Sequence, residues 1–175
     1  MKIDRRRLVV DACIARSAGG WGAIAEVSQE CRNFLFAMFS NGLRLVMTRP
    51  IKAEWDVHKS KWCSRWRGNM GRRGLVCFIQ NSENPTLWDK IKRSKQNPRN
   101  ISAMEKDFRY IEAAVATDNS VVSTDKEARS AFSKTAKKVN DLKNIVWVDP
   151  CLKSDKVYQW ISQNAPEDDW RKLGK

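Results

Sequence analysis

Residues 106–125 read KDFRYIEAAVATDNSVVSTD, and this stretch decides the fold. Asp107, Ile111, Ala114 and Val115 share one face of a helix with a 3.6-residue period, so an acid sits on an apolar stripe. A Ser-x-x-Glu capping box at Ser102 and Glu105 predicts that this helix starts close to Ala103. Ser120, Val121, Val122 and Ser123 then form a short β-branched run, stopped by Thr124 and Asp125, where a new helix can start under a Thr or Asp cap. In a parallel sheet the carboxyl ends of the strands line the ligand crevice, so an acid just past a strand stands in a functional position.

Working outward, residues 7–12, RLVVDA, read as the first buried strand, with Asp11 at its carboxyl end. Gly19, Gly20 and Gly22 suggest a loop before a helix over about 25–40, which Asn41 and Gly42 stop. The SAGGWG segment lacks both the Gly-Lys-Ser/Thr ending and the Gly-x-Gly-x-x-Gly pattern, so it is no phosphate loop. Residues 43–47 form a second strand. Thr48 and Pro50 open a helix running to about Arg67, with Glu54 one turn inside it. LVCFI at 75–79 fits strand or helix, and a short helix is expected around 86–94. A helix over about 126–139, a strand over 144–148 and a terminal helix bearing Val157, Trp160 and Ile161 complete the chain. This alternation predicts one α/β domain over 1–175, a three-layer α/β/α sandwich with a mainly parallel central sheet. The stretch at about 58–99 reads as a basic, insertion-like region.

Lysine and arginine outnumber aspartate and glutamate by 33 to 20, a net charge of +13 that attracts polyanions, nucleic acid first and a membrane surface second. At 175 residues the chain can bury roughly 70% of its unfolded surface, so neither disulfides nor a structural metal are needed. The five cysteines, odd in number and never in a Cys-x-x-Cys pair, suggest reduced thiols in a cytoplasmic protein. The apolar run Leu8, Val9, Val10 is too short for a signal peptide or a membrane span. Residues 58–73 carry Lys59, Lys61, Arg65, Arg67, Arg72 and Arg73 without an acid, a candidate nucleic-acid-binding surface. Trp62 and Trp66 share a helix face there and read either as core or as base-stacking rings. The second basic run, Lys90 to Arg99, reads as a lid near a substrate channel or as a solvated face.

Asp11 and Asp125 at strand ends, with Glu54 and Asp107 on bordering helices, would place four carboxylates in one cleft. Such a cluster resists joint ionisation when empty, and divalent cations remove the conflict. Oxygen-only ligands favour magnesium or manganese over zinc. Two such ions about 4 Å apart would activate a water and stabilise the leaving oxygen in phosphodiester cleavage. Three of the acids also have a plain structural reading: Asp125 as an N-cap, Glu54 as a solvated first-turn acid, Asp107 as a surface acid. Asp118 competes as a ligand, although its place in the ATDN turn suits a helix stop better. His58, the only histidine, reads as exposed, with contact to a metal-holding carboxylate or to phosphate as the alternative.

Four local contexts carry a family resemblance: Asp11 after LVV, Glu54 in PIKAEW, Asp107 in Asp-x-x-x-Ile-x-Ala-Ala, and Asp125 in Ser-Thr-Asp. Over roughly residues 7–150 the chain resembles the PIN domain family of metal-dependent nucleases. The resemblance implies an α/β/α sandwich, with Asp11, Glu54, Asp107 and Asp125 as the catalytic, metal-binding set. It also implies a magnesium- or manganese-dependent phosphodiesterase acting on single-stranded RNA, in many members a toxin paired with an antitoxin. An antitoxin or other protein partner and a homodimer are accordingly among the expected partners, and a membrane is not. One departure stands out. Family members often carry Ser, Thr or Asn after the first acid, whereas Ala12 and Cys13 follow Asp11 here, leaving Ser17 or Thr124 as substitutes. The rival readings are a catalytically silent PIN-like module binding RNA or protein, and a structure-specific DNA nuclease.

Overall fold

The computed structural model describes residues 4–175. Five strands, β1 (Arg7–Val10), β2 (Arg44–Met47), β3 (Val76–Phe78), β4 (Ser120–Val122) and β5 (Val146–Val148), form one all-parallel sheet. Their order is β3-β2-β1-β4-β5. Runs of Val and Leu suit strands covered on both faces, and Leu8, Val9, Val10, Val121 and Val122 are fully buried. Right-handed crossovers put α2 (Glu26–Ser40), which joins β1 to β2, and α4 (Lys61–Arg72), which leads into β3, on one face. The return crossover, α6 (Pro98–Val115), and α7 (Lys126–Ala136) then cover the other. Accordingly α2 packs on α4 and on α8 (Val157–Ser162), and α6 packs on α7. The result is a three-layer α/β/α sandwich around one continuous cluster of buried side chains.

The order reverses between β1 and β4. The chain moves from β1 outward to β3, returns through α6, and continues from β4 to β5 on the far side. Ligand crevices form outside the carboxyl ends of strands at such a switch point. The residues that follow β1 and β4 therefore border such a crevice.

Several sequence-based boundaries are corrected. The first strand stops at Val10, because Asp11 caps a short helix, α1 (Ala12–Ser17), by accepting from the Cys13 amide at 2.9 Å. The glycine loop comes only after it, and Gly19 is packed so tightly that a Cβ would lie 2.6 Å from the Ala23 Cβ. The helix expected over 48–67 is two: α3 (Arg49–His58) and α4. Ser60 breaks it by capping the Cys63 amide while its own amide donates to the Ala15 carbonyl in α1 and its hydroxyl to the carbonyl of Ala18, the C-cap of α1. α6 starts at Pro98, not near Ala103. Asn97 accepts from the Asn100 amide at 2.8 Å, and Pro98 needs no donor in the first turn, so this pair outcompetes the Ser102 box.

Residues 58–99 are woven into the fold. They supply α4, the edge strand β3 and α5 (Pro85–Arg93), whose Leu87 and Ile91 are buried, so the segment contributes to both the sheet and the core. Trp66 is core, its Nε1 donating to the Leu35 carbonyl at 2.8 Å, and Trp62 is half-buried against the same cluster. All five cysteines are unbridged. Among the described residues no helix is long and apolar enough to cross a membrane.

Candidate functional site

Asp11 follows β1 and Asp125 follows β4, so they flank the switch point. Asp11 is 5% exposed. Its Oδ1 is used by the Cys13 amide, and its Oδ2 accepts from the Ser123 hydroxyl at 2.6 Å. Ser123 Oγ in turn accepts from the Asp125 amide at 3.0 Å, so one hydroxyl at the end of β4 ties both acids together. Asp125 caps α7, with Oδ1 accepting from the Ala128 amide at 2.8 Å. The capping role and a place at the strand end coexist in this residue.

Glu54 reaches the same cleft from the second turn of α3. Its Oε2 accepts from the Tyr110 hydroxyl at 2.7 Å and pairs with Arg109 Nη1 at 3.3 Å. Tyr110 Oη also accepts from the Ala12 amide at 3.0 Å, bracing α1, α3 and α6 against each other. Burial and the neighbouring acids push its hydroxyl pKa up, which keeps it a donor toward Glu54. Asp107 comes in from α6, one turn before Ile111. Its Oδ2 is buried without a hydrogen-bond partner. Burial, and then the charges of Asp11, Asp125 and Glu54, push its carboxyl up to about 7, against a smaller opposing pull from Arg109. All four acids thus line one cleft of about 140 Å3, together with Ala12, Cys13, Arg16 and His58.

The structure brings the four acids together in one cleft that the lysines and arginines of 58–73 do not line. Among the described residues, none of Lys59, Lys61, Arg65, Arg67, Arg72 and Arg73 lines the cleft. Lys59 and Arg67 are held by Asp56 at 3.1 and 2.6 Å, and with Lys52 they depress the Asp56 carboxyl. Arg73 lies over the Phe39 ring, Arg72 bonds Asn69, and Lys61 and Arg65 are exposed. The basic group in the cleft wall is Arg16. Asp118 is no ligand: it accepts from the Arg7 amide and guanidinium at the opposite end of the sheet. His58 is exposed at the cleft rim.

Two residues of the site were missed by sequence reasoning. Ser123, not Ser17 or Thr124, supports Asp11; Thr124 Oγ1 instead meets the Cys13 thiol at 3.3 Å. Burial and Asp11 push that thiol up to about 12, which favours its protonated form. Tyr110 carried a legible signal, lying three residues after Asp107 on the same helix face.

The donor set is oxygen-only, and the bonds that orient Asp125 and Glu54 each engage one carboxylate oxygen, leaving the other oxygen for a cation. With the partnerless Asp107 oxygen, this chemistry fits a hard divalent ion. It is not a closed cage, because among the described residues no three His, Cys, Asp or Glu side chains stand ready to hold one ion together. Comparison of the chain with protein-family models, curated proteins and solved structures finds no match.

Proposed function

We propose that the chain is a PIN-like, magnesium- or manganese-dependent endoribonuclease whose cleft is built from Asp11, Glu54, Asp107 and Asp125. The observation that carries this reading is Asp107, a half-buried carboxylate whose Oδ2 is buried without a partner beside three further acids on a protein of net charge +13. Anions are gathered there although the rest of the surface is cationic, an arrangement that costs stability unless a cation is bound. A bound ion would supply activation of the attacking water and stabilisation of the leaving oxygen.

The chain's own residues do the rest. Ser123 and Tyr110 hold Asp11 and Glu54 by hydrogen bonds to one oxygen each, so the acids keep their orientation without a ligand. Arg16 and His58 at the cleft wall offer cationic and hydrogen-bonding contact to an incoming phosphate. The wider basic surface draws in the polyanion. Cytoplasmic RNA as substrate and an antitoxin as partner belong to the same reading.

Asp11→Asn and Asp107→Asn should each abolish metal-dependent cleavage of a labelled single-stranded RNA while circular dichroism stays unchanged. Undiminished cleavage by both variants would defeat the assignment. A second reading is a module that binds RNA without cutting it. The net charge of +13 supports it equally, and it predicts salt-sensitive binding with no response to magnesium or manganese.

A further inference from the structure

The acid cleft has a larger neighbour. A pocket of about 370 Å3 opens at the same edge of the sheet, where β2 and β3 end. Its wall includes Arg49, Phe78, Gln80, Asn81, Ser82 and Arg109. Arg109 links the two spaces: it lines the pocket, and its Nη1 lies 3.3 Å from Oε2 of Glu54, which lines the cleft. Arg49 begins α3, the helix that delivers Glu54. Pocket and cleft therefore share a wall, with two guanidinium groups on the pocket side of the acids.

We infer that this pocket holds one extruded nucleobase adjoining the phosphate that is cut, its ring stacked on Phe78 and the phosphate next to it bound by Arg49 and Arg109. The identity of that phosphate as the scissile one rests on the nuclease reading; the base pocket itself does not. Phe78 ends the edge strand β3 and leaves 51% of its surface exposed, a flat apolar ring with room for stacking. After it the chain turns through Asn81, whose φ of 57° lies in the left-handed region that Asn tolerates. This turn lays Gln80, Asn81 and Ser82 along the pocket, where two amides and a hydroxyl offer donors and acceptors to a base edge.

Two acids refine the assignment. Glu83 and Glu112 also line the pocket. Glu112 is occupied by the Asn84 amide at 2.6 Å, while Glu83 is open to accept from an exocyclic amino group. Their charge discourages a second phosphate from entering, so the space suits a base and not the continuing backbone. A base paired in a duplex cannot enter without unpairing. The pocket thereby selects single strands or unpaired positions.

The test is fluorescence anisotropy of a short labelled single-stranded RNA and of its duplex, in EDTA so that binding is read apart from cleavage. Phe78→Ala should weaken single-strand binding about 5- to 100-fold, the range expected for loss of one stacked base, with little change for the duplex. Phe78→Trp should restore it. Equal single-strand affinity of the wild type and Phe78→Ala, or equal losses on single strand and duplex, would overturn the proposal. Cleavage by the wild type in manganese is read separately. If the wild type cuts nothing while Phe78→Ala still loses single-strand binding, the pocket stands and the nuclease reading falls. If it cuts and Phe78→Ala binds normally, the reverse holds.

Discussion

Replacing Asp107 by Asn should make the metal-free protein more stable at neutral and alkaline pH. In the folded chain its carboxyl is pushed from an ordinary value of 3.8 to about 7, mainly by burial and then by Asp11, Asp125 and Glu54. The folded state therefore holds the proton more tightly than the unfolded state. The stability this gives is complete below pH 3.8, is lost as the pH rises toward 7, and is absent above it. At about 1.4 kcal/mol per pH unit the upper bound is about 4 kcal/mol. Partial contact with solvent and relaxation of the neighbouring acids reduce this to about 2 kcal/mol, or about 4–8 °C in Tm for a chain of this size. Asn is a near isostere without the charge, and its amide can donate to a neighbouring carboxylate. Thermal unfolding of both proteins in EDTA between pH 4 and 8 should show equal stability at the acid end and an advantage for Asp107→Asn that grows to a plateau. Manganese should then raise the Tm of the wild type and leave the variant nearly unmoved. A difference that is constant with pH, or a variant less stable than the wild type at pH 8, would refute the electrostatic account of the cleft.

Tyr110→Phe removes the hydroxyl between the Ala12 amide and Glu54, which should cost about 1–3 kcal/mol in urea unfolding through the orphaned amide and lower cleavage more than binding. Ser123→Ala frees Asp11 Oδ2 and the Asp125 amide together; a similar destabilisation is expected, with weaker manganese binding by calorimetry. Asp56→Asn releases Lys52, Lys59 and Arg67. If these cations then reach phosphate, the slope of log affinity against log salt for single-stranded RNA should steepen by about 0.7 per new contact, and an unchanged slope would place the backbone track elsewhere.

What was legible in the sequence follows from periodicity. Asp107 stood out because an acid interrupts an apolar helix face, and Asp125 because it follows a β-branched run; both signals are local. The sheet order is not local, so the alternation of elements could predict parallel strands but not that β1 and β4 are neighbours. Ser123 was overlooked for that reason, since its partner Asp11 is reached only across that pairing. The break at Ser60 was hidden because Trp62 and Trp66 keep a helical spacing beyond it, and the carbonyls that draw Ser60 out of the helix belong to α1 and its C-cap. At α6 two valid start signals competed within a few residues, and the Asn97–Pro98 pair prevailed because it combines a cap with a fixed φ.

The hydroxyl that joins Asp11 to Asp125 spans 112 positions of chain. During synthesis the segment carrying β1, β2 and β3 emerges with Asp11 and Glu54 but without Ser123 or Asp125, and the neighbour of β1 on its other side is still missing. The acids can gather only after α6 has crossed back and β4 has paired with β1, a contact of high sequence separation that forms late. A ribosome-bound chain thus carries an incomplete site, and a nuclease built this way would be disarmed beside the RNAs that produce it until its last crossover closes.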